Sequence, residues 1–254
     1  MSGTLTIIGL GPGNPCCLTS DADDALHAAE AIYGYRPYLE RIPARRHQRQ
    51  FPSDNRQEAA RAAAALAHAV RGGNVALVSG GDPGVFAMGA AVCEAIETGP
   101  EAWRTLDVAF IPGVTAMLAV AACVGAPLGH DFCALSLSDN LKPWEQIERR
   151  LDAAAGAGFV IAFYNPVSQA RPWQLRKALE RLRRHLPSST PVVFGRAVGR
   201  PDERVDVTTL ETANAKKADM ATLVIVGSRA TRIIARPGRS PLVYTPRAAV
   251  EVST

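Results

Sequence analysis

Short runs of apolar, often β-branched residues alternate along this chain with Ala-rich stretches whose apolar positions recur every three or four residues. Residues 5–10 form an apolar run ending at Gly9 and Gly11, the pattern of a buried strand entering a tight loop. Thr19, Ser20, Asp21 and Asp23 offer a hydroxyl cap and acidic first-turn residues, which predicts a helix to about Ala29. Residues 31–33 read as a short strand, and residues 55–71 as a helix closed by Gly72-Gly73. A second buried strand over 75–79 leads into Gly80-Gly81-Asp82-Pro83-Gly84 and a helix to about Ile96. A strand over 108–111 precedes Pro112-Gly113 and an apolar helix over 115–124. Strands alternating with helices predict a parallel sheet covered on both faces.

Gly125-Ala126-Pro127-Leu128-Gly129 interrupts this rhythm and reads as a hinge into a second unit. Strands are predicted there near 132–137, 159–164, 191–197, 205–208 and 222–227, and helices near 144–155 and 173–185. Residues 242–246 read as a closing edge strand. The fold class is α/β, with two α/β domains of similar size and an interdomain cleft, a common place for ligands.

Composition narrows the classes. The chain has 254 residues, 47% hydrophobic and 20% charged, ample for a buried core and too ordinary for a disordered tail. No run of about 20 apolar residues predicts a membrane span, and the first residues lack a signal-peptide pattern. The five cysteines are odd in number and form no Cys-x-x-Cys pair, which argues against a disulfide scaffold or zinc ribbon and for a reduced, cytoplasmic protein. Net charge is +4, and only Lys142, Lys177, Lys216 and Lys217 are lysines. Arginine grips carboxylates and phosphates at two points, so an anionic ligand is a reasonable expectation; a GC-rich genome gives the same bias. The excess is too small to imply nucleic acid.

Several local motifs carry chemistry. Gly9-Leu10-Gly11-Pro12-Gly13 sits where a dinucleotide loop would, but position 14 is Asn and Pro12 removes an amide, so it reads equally as a tight turn. No Gly-x-x-x-x-Gly-Lys-Ser/Thr is present, which excludes a P-loop. Gly80-Gly81-Asp82-Pro83 ends a buried strand, where backbone can approach a ligand and Asp82 can accept hydrogen bonds; a helix N-cap with Pro near its first turn explains the same letters. Tyr33, Tyr35 and Tyr38 interleave with Arg36, Arg41, Arg45, Arg46 and Arg49, a stretch able to grip a flat polycarboxylate or single-stranded nucleic acid, or to form a solvated basic loop. No hydrolase signature or metal-ligand pair of histidines occurs, and no metal is expected. His130, beside Asp131 at the presumed hinge, and Asp139, Lys142 and Trp144, after a predicted strand, are further candidates for chemistry.

Taken together, these motifs resemble the tetrapyrrole (corrin/porphyrin) methyltransferases. The carrying residues are Gly9-Leu10-Gly11-Pro12-Gly13, Ser79-Gly80-Gly81-Asp82-Pro83, Ile111-Pro112-Gly113-Val114-Thr115-Ala116, Gly195-Arg196-Ala197 and residues 222–227, in the family's order across essentially the whole chain. Tyr33-Gly34-Tyr35-Arg36-Pro37-Tyr38, the run from Gly81 to Met88, Ser136-Leu137-Ser138-Asp139, Pro143-Trp144-Glu145, Phe163-Tyr164-Asn165-Pro166 and Thr245-Pro246-Arg247 look most like its ring-contracting subgroup. Asn14 stands where an acid is usual, and the Gly-Tyr ending after Arg247 is missing.

The resemblance implies domains of 1–115, with the substrate trough and the Gly80–Asp82 loop, and 116–254, completing the cofactor cleft. It implies S-adenosylmethionine as methyl donor, lined by Pro12, Gly80, Gly81, Asp82, Val85, Thr115, Ala116, Tyr164, Ala197, Ala221 and Thr222. The implied reaction, in cobalamin biosynthesis, methylates C17 of precorrin-3B and contracts the ring to precorrin-4. Tyr35, Arg36, His130, Asp139 and Lys142 are the candidates for the proton transfer that contraction needs. A tetrapyrrole polycarboxylate partner and a homodimer are expected, with neither nucleic acid nor membrane. Alternatives are a sibling methyltransferase for another ring position or a cobalt-containing substrate, and a basic RNA-binding protein without catalysis.

Overall fold

The computed structural model describes residues 3–43 and 45–248; the missing Gly-Tyr ending falls outside them from residue 249 on. The chain divides into two compact units, Met1–Ala116 and Met117–Thr254.

The first unit contains β1 (Thr4–Gly9), α1 (Ser20–Ala28), β2 (Ala31–Tyr35), α2 (Arg36–Leu39), β3 (Arg49–Ser53), α3 (Glu58–Val70), β4 (Asn74–Ser79), α4 (Met88–Thr98), α5 (Glu101–Arg104) and β5 (Asp107–Ile111). Its sheet has the order β3-β2-β4-β1-β5, and every pair is parallel. Alternation divides the strand side chains between two cores. Leu5, Ile7, Val75 and Leu77 face Ala62, Ala65, Leu66 and Ala69 of α3 with Met88 and Val92 of α4. Ile8, Ile32, Ala76 and Val78 face Ala22 and Leu26 of α1 with Leu39 of α2. Because all strands run one way, their carboxyl ends gather at one edge, where the loops after Gly9, Tyr35, Ser53, Ser79 and Ile111 begin.

The basic Tyr/Arg stretch is not one loop. It holds β2, α2 and β3, and the partial exposure and Pro52 of β3 suit a sheet edge. Asp82 is not the N-cap of the following helix, because α4 begins only at Met88 with Ala87 as its cap residue.

The second unit opens with α6 (Ala116–Val124), whose first residue closes the first unit, and continues with β6 (Gly125–Ala126), β7 (Phe132–Ser136), α7 (Trp144–Gly156), β8 (Val160–Tyr164), α8 (Gln174–Leu182), β9 (Pro191–Arg196), β10 (Arg204–Thr209), β11 (Thr222–Val226), β12 (Arg232–Arg236) and β13 (Arg239–Tyr244). Its larger sheet, β10-β9-β11-β8-β7, is mixed: only β7 and β8 are parallel. Ile147 and Leu151 of α7 and Leu175, Leu179 and Leu182 of α8 cover one face over Phe163, Phe194 and Val224. On the other face Val120 of α6 fills the space a Cβ at Gly195 would need, 2.3 Å away.

Two expectations are corrected here. Gly125-Ala126 is no hinge between units: it pairs in parallel with β13 inside the second unit. Residues 242–246 are not an edge strand either, because β13 lies between β12 and β6 in a three-stranded sheet. Among the described residues, no helix is long and apolar enough to cross a membrane.

Candidate active site

At the carboxyl edge of the first sheet, three loops meet backbone to backbone. Leu10 N donates to Ser79 O (2.9 Å), and Gly11 and Gly81 exchange both main-chain hydrogen bonds at 3.1 and 2.9 Å. A Cβ at Gly113 would lie 2.3 Å from Gly81 O, so this approach demands glycine. Asp82 joins the second loop to the third: its carboxylate accepts from Gly113 N at 3.1 Å and from Gly84 N at 2.8 Å. Thr115 is buried over Gly81, whose φ is +66°. The structure thus brings Gly80, Gly81, Asp82, Thr115 and Ala116 together, with Pro12 and Val85 on the same loops. Tyr35 and Arg36 begin the loop after β2 on this edge. Tyr35 packs edge-on against Tyr38, and the Tyr38 ring occupies the space beside Gly80.

In the second unit, Ser136, Tyr164, Arg196 and Thr222 share one edge, as the pairings of Ser136 with Tyr164 and of Arg196 with Thr222 require. The Tyr164 hydroxyl accepts from Met117 N at the start of α6 (3.1 Å). Ala197 is buried in the left-handed region, φ +49°, and its N–H donates to Ala221 O at 2.9 Å. Asn165, after Tyr164, also has a positive φ of +51°. Non-glycine residues held in this region cost about 1 kcal/mol or more, and such outliers cluster at ligand sites. Asp219 organises the turn: it accepts from Ala221 N (2.9 Å), the Thr222 hydroxyl (2.8 Å) and Arg196 Nε (2.7 Å). Burial alone would raise the Asp219 pKa, but the Thr222 hydroxyl, Arg196 and the Ala221 amide outweigh it and hold the carboxyl below its usual range.

The catalytic candidates separate. Asp139 and Lys142 follow β7 at its carboxyl end, the edge of Tyr164. Both Asp139 oxygens accept from the buried Gln174 amide, at 3.0 and 3.1 Å. Burial, aided by the nearby charge of Arg150, pulls the Lys142 pKa down. His130 lies before the amino end of β7, roughly 16 Å of strand from the Tyr164 edge. Its Nδ1 accepts from Asp131 N at 2.7 Å. The direction of β7 therefore separates His130 from the other candidates of this unit.

Sequence reasoning missed several supporting residues. Arg41, read as a ligand contact, instead donates to the carbonyls of Leu10 (3.0 Å) and Gly11 (3.1 Å). Arg45 is turned toward His27 and Leu26 O. Gln174 carried no local signal, because its partner Asp139 lies 35 residues away, while Asp219 had one that sequence reasoning passed over, an acid two and three residues before Ala221 and Thr222.

Residues 4–214 match the tetrapyrrole (corrin/porphyrin) methylases. The chain is 61% identical to a precorrin-3B C(17)-methyltransferase from Sinorhizobium sp. over 97% of both chains. The crystal structure of the methyltransferase CobJ superposes with a TM-score of 0.92 at 48% identity, covering 96% of this chain and 100% of that one. A uroporphyrin-III C-methyltransferase from Thermus thermophilus, solved with S-adenosyl homocysteine, shares the fold at TM-score 0.65 and 24% identity, over 89% of this chain and 97% of that one. With the glycine edge, the order of its motifs and these likenesses in agreement, the chain belongs to the tetrapyrrole (corrin/porphyrin) methylases.

Proposed function

We propose that this protein is the S-adenosylmethionine-dependent enzyme of cobalamin biosynthesis that methylates C17 of precorrin-3B and contracts the ring to precorrin-4. The observation that carries this is the 61% identity to a precorrin-3B C(17)-methyltransferase over nearly the full length of both chains. We assign the substrate trough and the Gly80–Asp82 donor loop to the first unit. The Thermus thermophilus methyltransferase solved with S-adenosyl homocysteine supports that donor, and so does the local fit. Around Gly81 the loops approach each other main chain to main chain, with Gly81 at φ +66° and Thr115 packed against it. Main-chain carbonyl dipoles in a site with little water suit a sulfonium that loses its charge as the methyl leaves.

The donor supplies an already activated methyl group. The protein's part is to hold the nucleophilic ring carbon in line with it and to exclude water, and such positioning is worth about 7–11 kcal/mol. The glycine edge of the first unit, around Gly80, Gly81 and Asp82, does this in our reading. Ring contraction also needs a proton delivered to a departing oxygen. Among Tyr35, Arg36, Asp139 and Lys142, we favour Lys142, which follows the carboxyl end of β7 and whose ammonium burial makes easier to deprotonate. Homodimerisation and a cytoplasmic location complete the proposal. The open edge of β5, with a half-exposed Phe110, supports the dimer, which light scattering tests against a monomer of 27.0 kDa.

The deciding experiment incubates the protein with precorrin-3B and methyl-labelled donor, then examines the product by mass spectrometry and NMR. Label on C17 of a contracted ring is expected. Label on another carbon, or no transfer, refutes the assignment.

A further inference from the structure

Arg61 of α3 is a charge without a counter-charge. Its side chain belongs to a residue only 5% exposed. Nε donates to the Ser53 hydroxyl (2.5 Å), Nη2 to Asp54 O (2.8 Å) and Nη1 to Met88 Sδ (3.1 Å). Among the described residues it forms no ion pair. Glu58, one turn earlier, is near enough to be felt electrostatically, yet its carboxylate accepts from Arg56 N instead. Burial pushes the Arg61 pKa down, but guanidinium stays protonated in proteins. Burying an uncompensated cation is costly, so an arrangement that keeps one asks for an anion.

Three features locate that anion. Ser53 ends β3 and Met88 opens α4 after the Gly80–Asp82 loop, so Arg61 sits at the sheet edge that carries the site loops. A cavity of about 270 Å³ lies beside it, walled by Tyr33, Phe51, Ser53 and Gln57. That is below the roughly 300–1,000 Å³ of pockets that take whole drug-sized ligands, so it suits one short arm of a larger molecule. The Tyr33 and Phe51 rings are stacked 4.5 Å apart and give the cavity an apolar wall. The third feature is Met88 itself. A thioether is a weak acceptor on a flexible side chain, and a carboxylate displacing it would gain charge-assisted, two-point hydrogen bonds from the guanidinium.

We propose that Arg61 and this cavity form a carboxylate site that takes one acidic arm of the macrocyclic substrate and so fixes how the ring is presented. This rests on the polycarboxylate reading above. Arg41 and Arg45 of the neighbouring stretch are half-buried and committed to main-chain carbonyls or His27.

The test uses the full chain with Arg61→Met and Arg61→Lys, each checked for a cooperative melt. Arg61→Met is expected to raise KM for precorrin-3B about tenfold to a hundredfold, the usual worth of hydrogen bonds to a charged group. The kcat should stay within about threefold and donor affinity should not change, a split that a merely structural clamp would not produce. Arg61→Lys should recover part of the KM. An unchanged KM in a folded Arg61→Met overturns the proposal. A second measurement needs no variant at Arg61. The chain has four methionines, so methyl-labelled methionine gives a simple NMR spectrum in which Met88→Leu assigns the Met88 signal. Benzoate should shift the Met88 methyl and neutral benzamide should not; no response to benzoate overturns the site. If benzoate shifts Met88 while the wild-type protein neither binds nor converts precorrin-3B, the carboxylate site stands and the proposed function falls.

Discussion

The two site-bearing edges reach order by opposite means. In the first unit the loops after β1, β4 and β5 press main chain against main chain, bare of side chains at Gly9 and Gly113, with the Asp82 carboxylate as an added tie. In the second, beside one main-chain bond from Ala197 to Ala221, side chains do most of the holding: Asp219 binds Arg196, Ala221 and Thr222, and Gln174 binds Asp139. The reason is topological. A parallel sheet brings every carboxyl end to one edge and lets adjacent loops press together, whereas the mixed sheet alternates strand ends with strand starts and needs side chains to bridge them. A backbone junction tolerates no added atom; a side-chain junction weakens by one hydrogen bond at a time.

Substitutions at each edge test that contrast. Gly113→Ala should have the largest effect, because its Cβ would meet the fixed carbonyl of Gly81 at 2.3 Å. A loss of about 3 kcal/mol or more is expected in denaturant unfolding, and wild-type stability would show that the loops are not in contact. Asp82→Ala removes the acceptor for Gly84 N and Gly113 N. About 1–3 kcal/mol of loop stabilisation should disappear, and donor-dependent turnover should fall by more than the melting temperature suggests. Unchanged turnover would remove Asp82 from the site.

Asp219→Asn should cost less, about 1 kcal/mol, since the turn keeps its main-chain bonds. Its signature is pH. The folded pKa of Asp219 lies below the unfolded value of about 3.9, so its contribution is present above that pH and is lost as pH falls through the folded value. The stability difference between wild type and Asp219→Asn should therefore shrink as pH drops below about 4; a constant difference would show that the ion pair is not responsible. Arg36→Ala should be the mildest in stability. Its contact with Asp54 is long, 3.9 Å, and exposed on both sides, so less than about 0.5 kcal/mol is expected by calorimetry. A clear rise in KM with unaltered melting would mark Arg36 as a substrate contact.

Much of the first unit was legible because its strands are buried on both faces. The runs 5–10 and 75–79 became β1 and β4, and the Ala-rich stretch became α3. β3 was not legible: its Arg49 and Pro52 read as loop, and only pairing with β2 makes it a strand. The placement of 242–246 failed for a related reason, since its neighbour β6 is two residues long and lies over a hundred residues earlier. Among site residues, glycine loops at strand ends announce themselves locally. His130 looked as well placed as Asp139, and the direction of β7 alone separates them.

By itself, then, the sequence determined the buried strands and the longer helices and which loops must be bare of side chains, because hydrophobic period and glycine content act over a few residues. Strand partners, the far position of His130, and the burial of Arg61 against Met88 some 27 residues on were decided by the tertiary structure. Those outcomes depend on which distant segments share a face, and no local run of residues encodes that.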